Sequence, residues 1–153
     1  MNTERLFSTK ERKKILQAII YEDKTFFVSD TARKTKLSKG LISGFFSILS
    51  KEKIIKKDKR GFRLADSINT KAVRIFLNLD SLDISFLRKF PFVKGCGVFG
   101  SFAKGENTEE SDVDIWVRVE DESVEEYARL TKMIKDRVTN ASVLILTEKK
   151  LDK

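Results

Sequence analysis

Four residues in the second half of the chain have the types and spacing to do chemistry together: Gly100, Ser101, Asp112 and Asp114. From Asp112 onward the sequence alternates. Val113, Ile115, Val117 and Val119 fall on one parity, and Asp112, Asp114, Trp116 and Arg118 on the other. Side chains two apart on a strand leave by the same face, so this predicts a core face and an opposite face from which both carboxylates project. Two such carboxylates can share a divalent cation, and Mg²⁺ beside a nucleotide is usually held by one or two carboxylates plus phosphate oxygens. Upstream, the short apolar run Gly97-Val98-Phe99 leads into Gly100-Ser101. Glycine lets backbone approach a phosphate closely, and Ser101 with the amides of the following turn can bind phosphate oxygens. Lys104 stands in the same loop, where a cation would neutralise phosphate charge.

The composition removes other chemistries. The 153 residues contain no histidine, which excludes Ser-His-Asp and Cys-His catalysis and leaves any metal to be held mainly by oxygen. The single cysteine, Cys96, excludes a disulfide framework and a cysteine-rich zinc site, and reads as a small buried residue. Twelve phenylalanines argue for a packed core rather than disorder. No apolar run approaches the ~18 residues of a membrane span. Met1-Asn2-Thr3-Glu4-Arg5 is followed by no secretory stretch, so the expectation is a cytoplasmic protein with no membrane partner.

The net charge of +8 is uneven: residues 1–80 carry +10 and residues 81–153 carry −2. Two units with different partners are expected. In the basic half, Ile15, Leu16, Ile19 and Ile20 form a helical stripe within Glu11–Tyr21. Ser29 or Asp30 is placed to cap a short second helix, and Thr35-Lys36-Leu37 to make a turn. Ser38 then caps a third helix, Lys39 to about Lys51, with Leu41, Ile42, Phe45, Ile48 and Leu49 inward. Ile54 to Leu64 alternates across a glycine-bearing turn, as a short basic hairpin does.

This order, over Val28–Leu64, resembles the winged helix-turn-helix superfamily, particularly microbial transcription regulators. The resemblance implies double-stranded DNA as partner, with the third helix in the major groove and the hairpin across phosphates. Lys39, Ser43, Ser47 and Lys51, four apart on one helix face, would meet the groove. Lys56, Lys57, Lys59, Arg60 and Arg63 would meet the backbone. Gly40 and Gly44 permit close backbone approach. Solvated lysines or a protein-docking role remain the competing readings.

Between the halves, Ile68 to Leu79 is again helical in period, and Ile84, Phe86, Leu87 and Phe90 suggest another turn or two before Pro91. This connector either packs the units together or forms a homodimer; the sequence leaves both open. It has no Gly/Ser-rich linker, so rigid attachment is expected. The expected fold class is α+β in two small domains: a winged helix over 1–66, a helical connector over 67–91, and a mixed sheet with flanking helices over 92–153.

Gly100-Ser101, ten intervening residues, then Asp112-Val113-Asp114 resembles the G-S-x10-D-x-D signature of the nucleotidyltransferase superfamily related to DNA polymerase beta. With Gly105 in place, residues 92–147 resemble its minimal members. The resemblance implies that Gly100 and Ser101 hold a triphosphate, and that Asp112 and Asp114 bind Mg²⁺ or Mn²⁺ and are catalytic. A nucleoside triphosphate, ATP in the first instance, is then the substrate, attacked at the alpha phosphate by a hydroxyl. A helix from Ser123 to about Val138, with Val124 and Ala128 among its apolar positions, and a buried-type strand over Ser142–Thr147 complete the plan. One departure stands out. Active members generally carry a third carboxylate near the start of that strand, and the aligned position here is Ser142. Glu148, Asp152 or a partner protein could supply a substitute. Two readings follow: an enzyme, which in the antitoxin-like case would adenylylate a HEPN-type partner protein, or a DNA-binding regulator with a degenerate nucleotide domain.

Overall fold

The computed structural model describes residues 1–147, which fall into two compact units that divide between Leu77 and Asn78. Glu148, Lys150 and Asp152 lie outside the described residues.

The first unit runs α1 (Thr3–Phe7), α2 (Lys10–Ile19), α3 (Val28–Thr35), α4 (Lys39–Lys51), β1 (Ile55–Asp58) and β2 (Gly61–Leu64) into α5 (Ile68–Ser81). Three helix starts are closed by hydroxyls: Thr9 Oγ1 accepts from Arg12 N at 3.2 Å, Ser38 Oγ from Leu41 N at 3.3 Å, and Ser67 Oγ from Thr70 N at 3.1 Å. Neither Ser29 nor Asp30 caps α3; the helix begins earlier, at Val28, with Phe27 as an N-cap that offers no side-chain bond. Lys36 ends α3 in the left-handed conformation, φ 58°, which turns the chain toward Ser38.

The core of this unit joins Ile15, Leu16, Ile19 and Ile20 to Ile42, Phe46 and Leu49, with Val73 and Leu77 of α5. Leu41 is 41% exposed and Phe46 is buried instead, because the core face of α4 is the i, i+3, i+4, i+7 stripe Ile42, Phe45, Phe46 and Leu49. β1 and β2 pair antiparallel with Asp58 opposite Gly61. The left-handed residue of that turn is Lys59, φ 48°, not the glycine. Gly61 serves close approach instead: a Cβ there would sit 2.8 Å from the carbonyl oxygen of Phe26, whose backbone bridges to Phe62.

The second unit contains the end of α5, a 3₁₀ turn (Ser85–Lys89), β3 (Val93–Val98), α6 (Gly100–Lys104), β4 (Val113–Val119), α7 (Val124–Arg137) and β5 (Ala141–Leu146). β4 is central, antiparallel to β3 and parallel to β5. Ile115, Val117 and Val119 turn toward Leu130 and Ile134 of α7 and toward Phe86 and Leu87 of the 3₁₀ turn. Val124 and Ala128, although apolar, are exposed on α7. Helices supply the core on one face of the sheet only. For that reason β5 alternates rather than being buried throughout, with Ser142 and Leu144 exposed. Residues 67–91 are shared between the units: Val73 and Leu77 belong to the first core, Phe86 and Leu87 to the second. No helix among the described residues is long and apolar enough to cross a membrane.

Candidate active site

β3 ends at Val98, the Phe99 amide donates to the Asp114 carbonyl at 3.0 Å, and the chain then turns at Gly100 into α6. Gly100 has φ +67°, and a Cβ there would collide with Asp114 Oδ2. Both facts demand glycine, since an L side chain is strained in that conformation and has no room. They also locate the carboxylate: Asp114 rests against the glycine-serine turn. Ser101, half-buried, opens the first turn of α6, and Lys104 ends it, exposed, four residues from Gly100 and so on the same helix side.

Asp112 immediately precedes β4 rather than lying in its ladder, and is exposed, while Asp114 is partly buried. They share the parity that faces away from the core. Among the described residues neither carboxylate has an ion pair or side-chain hydrogen bond. Two oxygen-donor groups beside a glycine turn suit a hard divalent cation that completes its shell from a ligand. Among the described residues no cluster of three or more His, Cys, Asp or Glu could hold a metal by itself.

Ser142 is the register partner of Asp114 across the parallel β4–β5 pair. It is exposed on the same open face, so the structure puts an uncharged hydroxyl beside the aspartate pair.

A supporting contact carried no sequence signal beyond a polar residue in an otherwise apolar helix stripe. Asn78, at the end of α5, is buried and donates to the Phe102 carbonyl of α6 at 2.7 Å and to Asn107 Oδ1 at 2.8 Å. Asn107 Nδ2 donates back to Asn78 Oδ1 at 3.2 Å. This pair ties α6 to the loop that leads to Asp112. Cys96 faces the core side of β3, and partial burial pushes its thiol pKa upward.

In the first unit, Lys39, Ser43, Ser47 and Lys51 are all exposed along α4, where the Ser47 hydroxyl donates to the Ser43 carbonyl at 3.1 Å. Gly40 and Gly44 are exposed as well, and a Cβ at either would meet nothing within 4 Å, so internal packing does not require them. Lys56, Lys57, Lys59, Arg60 and Arg63 are exposed on the hairpin. Arg63 approaches Asp58 at 4.0 Å, and Asp58 also accepts from the Thr25 hydroxyl at 2.6 Å.

No solved structure matches the chain. A protein of Methanocaldococcus jannaschii that carries the provisional name protein adenylyltransferase is 33% identical over 61 residues, 39% of this chain. The match spans 61% of that relative's length. Residues 84–152, the stretch that holds Gly100, Ser101, Asp112 and Asp114, are similar to the family described as Polymerase beta, Nucleotidyltransferase.

Proposed function

We propose that the protein is a metal-dependent nucleotidyltransferase that also binds duplex DNA. The observation that carries the enzymatic half is the seating of the Asp114 carboxylate against Gly100, which joins a cation ligand to a phosphate-binding turn. In this reading the backbone at Gly100 and Ser101 holds the triphosphate of ATP, Lys104 offsets its charge, and Asp112 with Asp114 holds Mg²⁺ or Mn²⁺. The cation would stabilise charge on the attacking and leaving oxygens. An acceptor hydroxyl forms a new bond to the alpha phosphorus, the bond between the alpha phosphorus and its bridging oxygen breaks, and pyrophosphate leaves. The hydroxyl proton passes to solvent or to a carboxylate.

The relative's name, protein adenylyltransferase, supports a protein as acceptor. An antitoxin-like enzyme modifying a HEPN-type partner is the specific form proposed. For the basic unit, the order α2, α3, α4 and hairpin supports a winged-helix reading, and its exposed lysines and arginines support contact with phosphates.

Ser142 favours a second reading, in which the domain binds nucleotide without transferring it and the protein acts as a DNA-binding regulator. Loss of a general base commonly costs about 10²–10⁴ in rate. Incubation with Mg²⁺ and labelled ATP separates the two. Pyrophosphate release or a labelled protein that disappears in Asp112→Ala and Asp114→Ala is the expected result for an enzyme. Identical behaviour of wild type and both variants would end that account.

A further inference from the structure

The open face of the sheet carries a second feature beside Asp114. Trp116 follows it by two residues on β4 and leaves the same face about 7 Å further along. Its register partners are Gly97 on β3 and Leu144 on β5. A Cβ at Gly97 would fall 2.8 Å from indole atoms Nε1, Cε2 and Cζ2, and one at Gly95 would stand 3.7 Å from Cζ3 and 3.9 Å from Cη2. Contacts from the pyrrole edge to the far benzene edge mean that the ring lies along a lane of two glycines. Beneath it is strand backbone rather than side chains. Trp116 belongs to neither buried core and is partly exposed, and Leu144 beside it is 45% exposed. An indole laid flat, one residue pair from a phosphate-binding turn, is a prepared stacking surface.

We infer that Trp116 is the stacking platform for the nucleobase of the nucleotide whose phosphates are held at Gly100 and Ser101; this rests on the proposed nucleotide site. The distance suits the ligand, because a base lies several ångströms from its alpha phosphate. Stacking on an aromatic face is tolerant of base identity. Larger rings overlap the indole more, so purine nucleotides bind more tightly than pyrimidine ones.

Trp116 is the sole tryptophan of the chain, so its fluorescence reports on this position alone. The full-length protein is titrated with Mg²⁺-ATP and with Mg²⁺-tripolyphosphate, with emission and calorimetric heat followed in parallel. Both ligands are expected to bind, and only ATP to quench the emission. Trp116→Ala should lose about 5- to 150-fold in ATP affinity with tripolyphosphate binding unchanged, and Trp116→Phe should retain most of it. ATP binding with neither quenching nor sensitivity to Trp116→Ala would overturn the platform and leave the triphosphate site standing. Absence of heat with either ligand would overturn the nucleotide site and the platform with it.

Discussion

Ser142 lies directly across the parallel ladder from Asp114, on the open side of the sheet. Neighbouring strands are about 4.8 Å apart, so a carboxylate at position 142 would converge on the aspartate pair. Ser142→Asp therefore creates a three-carboxylate cluster. In the absence of metal the added charge should lower the melting temperature, because like charges at this spacing repel. Mn²⁺ should restore it, and pyrophosphate release should rise at least about tenfold, toward the range a general base supplies. Melting curves with and without Mn²⁺, beside a pyrophosphate assay, read both effects. A variant with neither metal-dependent stabilisation nor a rate gain would show that position 142 does not share the aspartates' ligand.

Gly100 and Asp114 form a steric pair. Gly100→Ala should destabilise by about 1–2 kcal/mol from the left-handed backbone alone. The clash with Asp114 Oδ2 adds to this and displaces the carboxylate, so nucleotide binding should fall more than stability does. In an Asp114→Ala background the steric part vanishes, and the cost of Gly100→Ala should shrink toward the backbone value. Denaturant unfolding of the two single variants and the double variant measures that coupling. Strict additivity would mean that the carboxylate moves aside at no cost.

The elements that position the site were largely legible in the sequence, and the reasons where they were not are local. Alternation in Val113–Val119 fixed which side of β4 meets the core, because a strand covered on one face has only one apolar parity. Helix α4 and its Ser38 cap were legible from a hydroxyl placed before an apolar stripe. β5 misled because Leu144 is apolar yet exposed; hydrophobicity does not report whether a second layer exists. The Gly61 contact with Phe26 and the Asn78–Asn107 pair join residues far apart in the chain, and no local pattern encodes such a contact. The Gly100–Asp114 approach was partly encoded, since the motif names both residues but not that one leaves room for the other.

The hairpin cations make a salt-dependent prediction. If Lys56, Lys57, Lys59 and Arg60 meet phosphates, each releases counterions on binding, and the slope of log affinity against log salt should be about −0.9 per phosphate neutralised. Replacing all four by alanine should flatten the slope by about 3–4 for duplex DNA. All four are exposed, so the fold should survive, which circular dichroism would check. An unchanged slope would assign the hairpin to protein contacts.

The Asn78–Asn107 pair makes the last prediction, on stability and site order together. Both amides are buried and each donates to the other, while Asn78 also holds the Phe102 carbonyl. Asn107→Ala leaves the Asn78 amide short of a partner in a buried place, which costs about 1–3 kcal/mol. Asn78→Ala strips bonds from α6 and from Asn107 at once, so it should cost at least as much. Because the pair anchors α6 to the loop leading to Asp112, both variants should weaken Mn²⁺-dependent stabilisation by ATP beyond what the lost folding energy explains. Thermal shifts with and without Mn²⁺-ATP separate the two effects. A lower melting point with an undiminished ligand-induced shift would make the pair a stability element that leaves the site untouched.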